Sequence, residues 1–114
     1  MKPGQKGEGL AVEFLRKQGY KIVRRNYRTK IGEIDIIALD KDTLVFIEVK
    51  ARESMEYGYP FEAVNKNKRR KIANVAQLYL KKLQDIPPCR FDVVSVYRVQ
   101  GDPQIELIKD AFEV

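Results

Sequence analysis

The apolar positions of the chain change period several times, and each change marks a new element. From Pro3 to Gln18 they recur at helical spacing, with Leu10, Ala11, Phe14 and Leu15 on one stripe. Pro3 suits a first helical turn and Gly19 a C-terminal stop, although Gly4, Gly7 and Gly9 weaken the start. Tyr20 to Arg28 alternates raggedly and reads as a strand. Two cleaner strands follow, Gly32 to Leu39 and Leu44 to Arg52, joined by the polar turn Asp40-Lys41-Asp42-Thr43. Residues 53–60 have no periodicity and read as a loop, placed to act as a lid or substrate contact, with an ordinary connection as the simpler reading. Phe61 to Asn65 suggests a short helical turn. From Lys66 to about Leu83, Ile72, Val75, Ala76, Tyr79 and Leu83 form the strongest helical stripe. Pro87-Pro88 ends that region, and Arg90–Val99 and Gln104–Ile108 are strands around a Gly101-Asp102-Pro103 turn. A short tail, Lys109 to Val114, follows.

The expected order is α-β-β-β-α-β-β: an α/β fold with a single mixed sheet of about five strands flanked by helices. Its 114 residues make one domain, 1–114, with one core.

The central hairpin carries charges where a buried sheet should be apolar. A symmetric two-residue loop sets Leu39 opposite Leu44, Ile37 opposite Phe46, Asp35 opposite Glu48 and Glu33 opposite Lys50. Ile34, Ile36, Ala38, Val45, Ile47 and Val49 then form an apolar opposite face. Two opposed carboxylates on a half-buried sheet repel each other and lose hydration, which proton uptake or a bound cation relieves. A three-residue loop would separate them onto opposite faces.

Composition narrows the chemistry. The net charge is +6 and the pI about 9.5, which favours an anionic partner such as nucleic acid, an acidic protein or a lipid surface. With no histidine and only Cys89, a single chain has no Cys/His zinc site, disulfide or His-activated nucleophile. Any metal is a hard cation held by oxygen. No signal-peptide pattern opens the chain and no apolar run spans a bilayer, so a cytoplasmic protein with no membrane partner is expected.

Two basic clusters stand out. Arg24-Arg25-Asn26-Tyr27-Arg28-Thr29-Lys30 interleaves cations with a ring, which suits phosphate contact and stacking, or equally a solvated edge strand. Lys66, Lys68, Arg69, Arg70 and Lys71 crowd a helix start against the macrodipole, which favours an anion-binding role. Lys68 precedes Ile72 by one turn and is expected to reach toward the hairpin's charged end. Glu8 near the first helix start reads either as complement to the helix dipole or as a third carboxylate leaning toward the sheet. Asp35 and Glu48 are able to hold a divalent cation with an exposed backbone carbonyl, and Lys50 shares the face of Glu48.

Gly32-Glu33-Ile34-Asp35, followed by Phe46-Ile47-Glu48-Val49-Lys50-Ala51-Arg52, resembles the PD-(D/E)xK nuclease superfamily. More narrowly it resembles the small bacterial YraN family, which is similar to archaeal Holliday junction resolvases. Gly7-Glu8-x-x-Ala11, Gly19-Tyr20, Arg25-Asn26-Tyr27-Arg28, the Lys68 region and Arg90-Phe91-Asp92-Val93 extend the match over most of the chain. The resemblance implies a restriction-endonuclease-like core and a metal-dependent nuclease acting on DNA, with branched or structured DNA the nearest class and RNA not excluded. It implies Mg2+ or Mn2+ held by Asp35, Glu48, the carbonyl of Val49 and Glu8, with Lys50 catalytic. Nucleic-acid contacts are then expected from Arg25, Arg28, Arg52, Lys66, Lys68, Arg69 and Arg70. Resolvases of this type cut as symmetric dimers, and Tyr57, Tyr59 and Phe61 either line such an interface or pack internally. Ile34 stands where the superfamily name has proline. The main alternative is a non-catalytic nucleic-acid-binding module of the same fold; a protein-interaction domain with structural charges comes last.

Overall fold

A computed structural model describes residues 3–51 and 65–113. The order is α1 (Pro3–Lys17), β1 (Lys21–Thr29), β2 (Gly32–Asp40), β3 (Thr43–Ala51), α2 (Lys66–Leu80), β4 (Cys89–Val99) and β5 (Asp102–Ile108). This is the expected α-β-β-β-α-β-β order in one mixed five-stranded sheet. The short helical turn expected before Asn65, the 53–60 loop, Arg52, Tyr57, Tyr59 and Phe61 lie outside the described residues.

The strands lie in the sheet in chain order, β1-β2-β3-β4-β5. β3 and β4 pair in parallel and the other neighbours antiparallel. The parallel pair follows from connectivity: a parallel neighbour needs a long crossover, and α2 lies in the segment that supplies it. The two helices cover opposite faces. α1 buries Ala11, Val12 and Leu15 against Ile36, Ala38, Val45, Ile47, Val94 and Val96. α2 buries Ile72, Val75 and Ala76 against Tyr27, Ile34, Ile37, Leu44, Phe46 and Val93. β2, β3 and β4 therefore carry apolar residues on both faces, as strands sandwiched between helices must.

Several sequence expectations change. The expected tail is part of the core: Phe112 is 6% exposed and stacks on Phe91 at 5.0 Å. The Ala111 N–H donates to the Phe91 carbonyl at 2.8 Å, which ties this segment to β4. Ile34 does not join Ile36 on the α1 face. It packs with Ile37 in the α2 cluster. Strict alternation would place residues 34 and 37 on opposite sides, so the alternation breaks between them. β1 breaks on the same rung: Arg25 pairs with Ile36, Tyr27 pairs with Ile34, and Asn26 between them has φ 52°. Asparagine is among the few non-glycine residues that take this conformation readily. The residue opposite this kink in β2 is Asp35.

Candidate metal and nucleic-acid site

The two-residue loop expected in the hairpin is present, with Asp40 paired to Thr43, Leu39 to Leu44 and Ile37 to Phe46. The β2–β3 ladder runs only to Ile36 and Ile47. One residue further, Asp35 does not continue the backbone pairing. Its Oδ2 accepts a 2.8 Å hydrogen bond from the Val49 N–H instead. A carboxylate thus occupies the place in the ladder where a β2 carbonyl would have bonded. In a strand, the N–H and C=O of one residue point to the same neighbour, so the Val49 carbonyl also faces this opening.

Glu33 does not pair with Lys50. The end of the ladder leaves it on the β1 side, where it pairs across to Arg28 at 3.1 Å. Lys50 instead lies 3.6 Å from Oε1 of Glu48, its same-face neighbour two residues earlier. Lys68 reaches across from the first turn of α2 to that same oxygen at 2.5 Å. The start of α2 is fixed by Asn65, whose Oδ1 accepts the Lys68 N–H at 2.9 Å. This cap satisfies an orphan donor of a helix end that has no acidic residue in its first turn.

Glu8 arrives from the other face. It is 8% exposed, and among the described residues its Oε1 has no hydrogen-bond partner. Among the described residues it forms an ion pair with Arg25, whose Nε lies at 3.6 Å, too long for a hydrogen bond. Gly7 explains how α1 comes so close: a Cβ at this position would lie 2.9 Å from the Ala51 Cβ. The glycine that weakens the helix start in the sequence is what allows α1 to approach β3.

Electrostatics records this crowding. Burial raises the Asp35 carboxyl from its ordinary 3.8 to about 7, helped by the charges of Glu48 and Glu8 and opposed by the Val49 N–H. Lys50 is lowered, first by burial and then by the neighbouring Lys68. Lys68 is raised: burial opposes its charge, but Glu48 outweighs it. Among the described residues, no three His, Cys, Asp or Glu side chains converge closely enough to hold a metal ion as they stand. Asp35 and Glu48 face one opening, Glu8 approaches it, and ammonium groups sit on Glu48.

The structure brings Asp35, Glu48, Lys50, Lys68, Glu8 and Val49 to one end of the sheet, with Arg25 beside Glu8. It does not bring Arg28 there; that side chain is engaged with Glu33. Lys66 and Arg70 are exposed on the start of α2. Arg69 lies over the Phe112 ring at 5.5 Å, toward the C-terminal segment. Arg52 falls outside the described residues. Ser95, the β4 partner of Lys50, is fully buried, and its hydroxyl has no hydrogen-bond partner among the described residues.

A second polar cluster was not singled out in the sequence. Asp92 is fully buried on the α1 face and accepts from the Tyr20 hydroxyl at 3.0 Å. It also accepts from Arg90 Nε at 2.8 Å and from the Asp110 N–H at 2.9 Å. Arg90 extends the network to Asp40 at 3.0 Å. The signal was present: Asp92 alternates with Val94 and Val96, so an acid falls on an inward-facing register.

Residues 7–96 match the family model described as "Uncharacterised protein family UPF0102". A UPF0102 protein of Desulfosudis oleivorans is 54% identical over 96% of this chain and 89% of its own length. One from Symbiobacterium thermophilum is 50% identical over 96% and 94%, and one from Caldicellulosiruptor saccharolyticus 49% identical over 96% and 95%. No helix among the described residues is long and apolar enough to cross a membrane.

Proposed function

The chain belongs to the UPF0102 family, and we propose that it is a divalent-metal-dependent nuclease that hydrolyses DNA phosphodiester bonds, with branched or structured DNA as the substrate class. One observation carries this reading: the Asp35 carboxyl, pushed up to about 7, is set against Glu48 at the open end of the β2–β3 ladder, with Lys50 on the face of Glu48. The resemblance to PD-(D/E)xK nucleases and archaeal resolvases supports the same assignment.

A hard cation fits this donor set. The Glu8 Oε1 is a buried carboxylate oxygen with no hydrogen-bond donor among the described residues, and Asp35 retains a proton that a cation would release. Asp35, Glu48, Glu8 and the Val49 carbonyl would hold Mg2+ or Mn2+. When bound, the metal supplies Lewis-acid stabilisation of the phosphoryl group and a more acidic water. The chain's own groups do the rest. The Val49 N–H holds the Asp35 carboxylate in place. Lys50, with its affinity for a proton lowered, sits where it can orient the attacking water or balance charge developing on the phosphate. Lys68, Lys66 and Arg70 line the start of α2 for backbone phosphates, and Arg25 flanks Glu8. Cutting both strands of a junction calls for two copies of the chain.

Labelled four-way, linear and single-stranded DNA, incubated with Mg2+ or Mn2+, tests the reading. Cleavage is expected to fall by about 10²-fold or more in Asp35→Asn and Lys50→Ala. A folded, DNA-bound protein that cleaves none of these substrates overturns it.

A second reading, a non-catalytic nucleic-acid-binding module, is favoured by Lys68 holding Glu48 and by the lack of a ready three-acid cage among the described residues. It predicts salt-dependent DNA binding with no Asp35-dependent affinity for Mn2+.

A further inference from the structure

Two ammonium groups converge on one oxygen. Glu48 Oε1 lies 2.5 Å from Lys68 Nζ and 3.6 Å from Lys50 Nζ. The Glu48 side chain is only 7% exposed, so leaving it without a cation is costly. Lys68 is differently placed: its side chain is 38% exposed and its stem is long, so its head is free to turn outward while the Asn65 cap holds its backbone.

If it turned outward, Lys68 would enter a region of positive potential. It stands in the first turn of α2, where the helix dipole is positive and the turn itself holds no acidic residue. Lys66, Arg69 and Arg70 add their charges to the same helix start. A lysine without an anion is disfavoured there, and a phosphate is the natural replacement for Glu48.

We infer that Lys68 is an exchangeable counter-ion: it holds Glu48 while the site has no metal, and yields it to an incoming divalent cation by turning to a nucleic-acid phosphate. This rests on the metal site proposed above. Two consequences follow. Metal alone binds weakly, because it must displace an ion pair. Metal and nucleic acid bind with positive coupling, because each favours the same outward position of Lys68, and the coupling is reciprocal.

Mn2+ titration calorimetry of the full chain tests this with a readout other than cleavage. Lys68→Met keeps the stem and removes the charge, and Lys68→Gln is the second variant; circular dichroism checks that each is folded. Both variants are expected to bind Mn2+ about fivefold or more tighter than the unsubstituted protein. A phosphorothioate DNA duplex is expected to tighten Mn2+ binding to the unsubstituted protein and to lose most of that effect in the variants. Equal or weaker Mn2+ binding by the variants overturns the exchange while leaving the metal site standing. If neither the protein nor its variants bind Mn2+, with or without the duplex, the metal site itself fails, and the exchange with it.

Discussion

The N–H of Val49 donates to the Oδ2 of Asp35 across 2.8 Å, from β3 to the first β2 residue beyond the paired ladder. A hydrogen bond of this kind favours the ionised carboxylate. Here it loses to burial and to Glu48, and the carboxyl is raised to about 7. Position and protonation are therefore set by different groups: Val49 fixes where the carboxyl is, and Glu48 and burial decide that it keeps its proton.

A pH dependence follows for the metal-free protein. In the unfolded chain Asp35 releases its proton near the ordinary 3.8, while in the folded chain it retains it to about 7. Between those values the folded state binds more protons, so this group's contribution to stability falls as pH rises and is fully lost above about pH 7. A shift of this size corresponds to a loss on the order of 4 kcal/mol. Asp35→Asn removes it. Urea unfolding with EDTA at several pH values should show the variant gaining on the unsubstituted protein from acid to neutral pH. Parallel stability curves would contradict the raised carboxyl.

Gly7→Ala should act on the site without touching its chemistry. The added methyl meets the Ala51 Cβ at 2.9 Å, so α1 or the end of β3 must shift. Overpacking of this kind costs about 1–3 kcal/mol. Because Glu8 is the next residue, the shift also moves the third carboxylate. The expected result is a lower Tm together with weaker Mn2+ binding. Gly9→Ala, where nothing lies within 4 Å of the added Cβ, is the control: it should leave Mn2+ binding unchanged and raise Tm slightly, because alanine favours the helix by about 0.5–1 kcal/mol over glycine.

The Tyr20–Asp92–Arg90–Asp40 network predicts a hierarchy of stabilities. Asp92 accepts from Tyr20, from both Nε and Nη2 of Arg90, and from the Asp110 N–H. Asp92→Ala takes this acceptor from the Tyr20 hydroxyl, the Arg90 Nε and the Asp110 N–H and leaves the partly buried guanidinium with Asp40 as its one remaining carboxylate among the described residues, a loss of about 3 kcal/mol. Tyr20→Phe removes one hydroxyl and should cost about 1–2 kcal/mol. Thermal unfolding should rank unsubstituted, Tyr20→Phe and Asp92→Ala in that order. A Tyr20→Phe change as large as Asp92→Ala would show that the hydroxyl, rather than the carboxylate, is the centre of the network.

The element order, the two-residue loop and the pairing of Leu39 with Leu44 and Ile37 with Phe46 were all determined by the sequence. They follow from alternation, turn residues and helical spacing, which are relations between near neighbours. The grouping of Glu48 with Lys50 belongs with them, since a strand repeats every two residues. Other features required the folded chain. Ile34 changed sides because β1 and β2 kink together at Asn26 and Asp35. Gly7 found its reason in Ala51, Phe112 its place beside Phe91, and Asp92 its partner in Tyr20, 72 residues away. Lys68 was expected near the hairpin, but only the placement of α2 put its ammonium on the oxygen shared with Lys50. Periodicity reports which side of its own element a residue faces. What lies on that side is decided when distant segments pack, and that packing set the charge balance of the site.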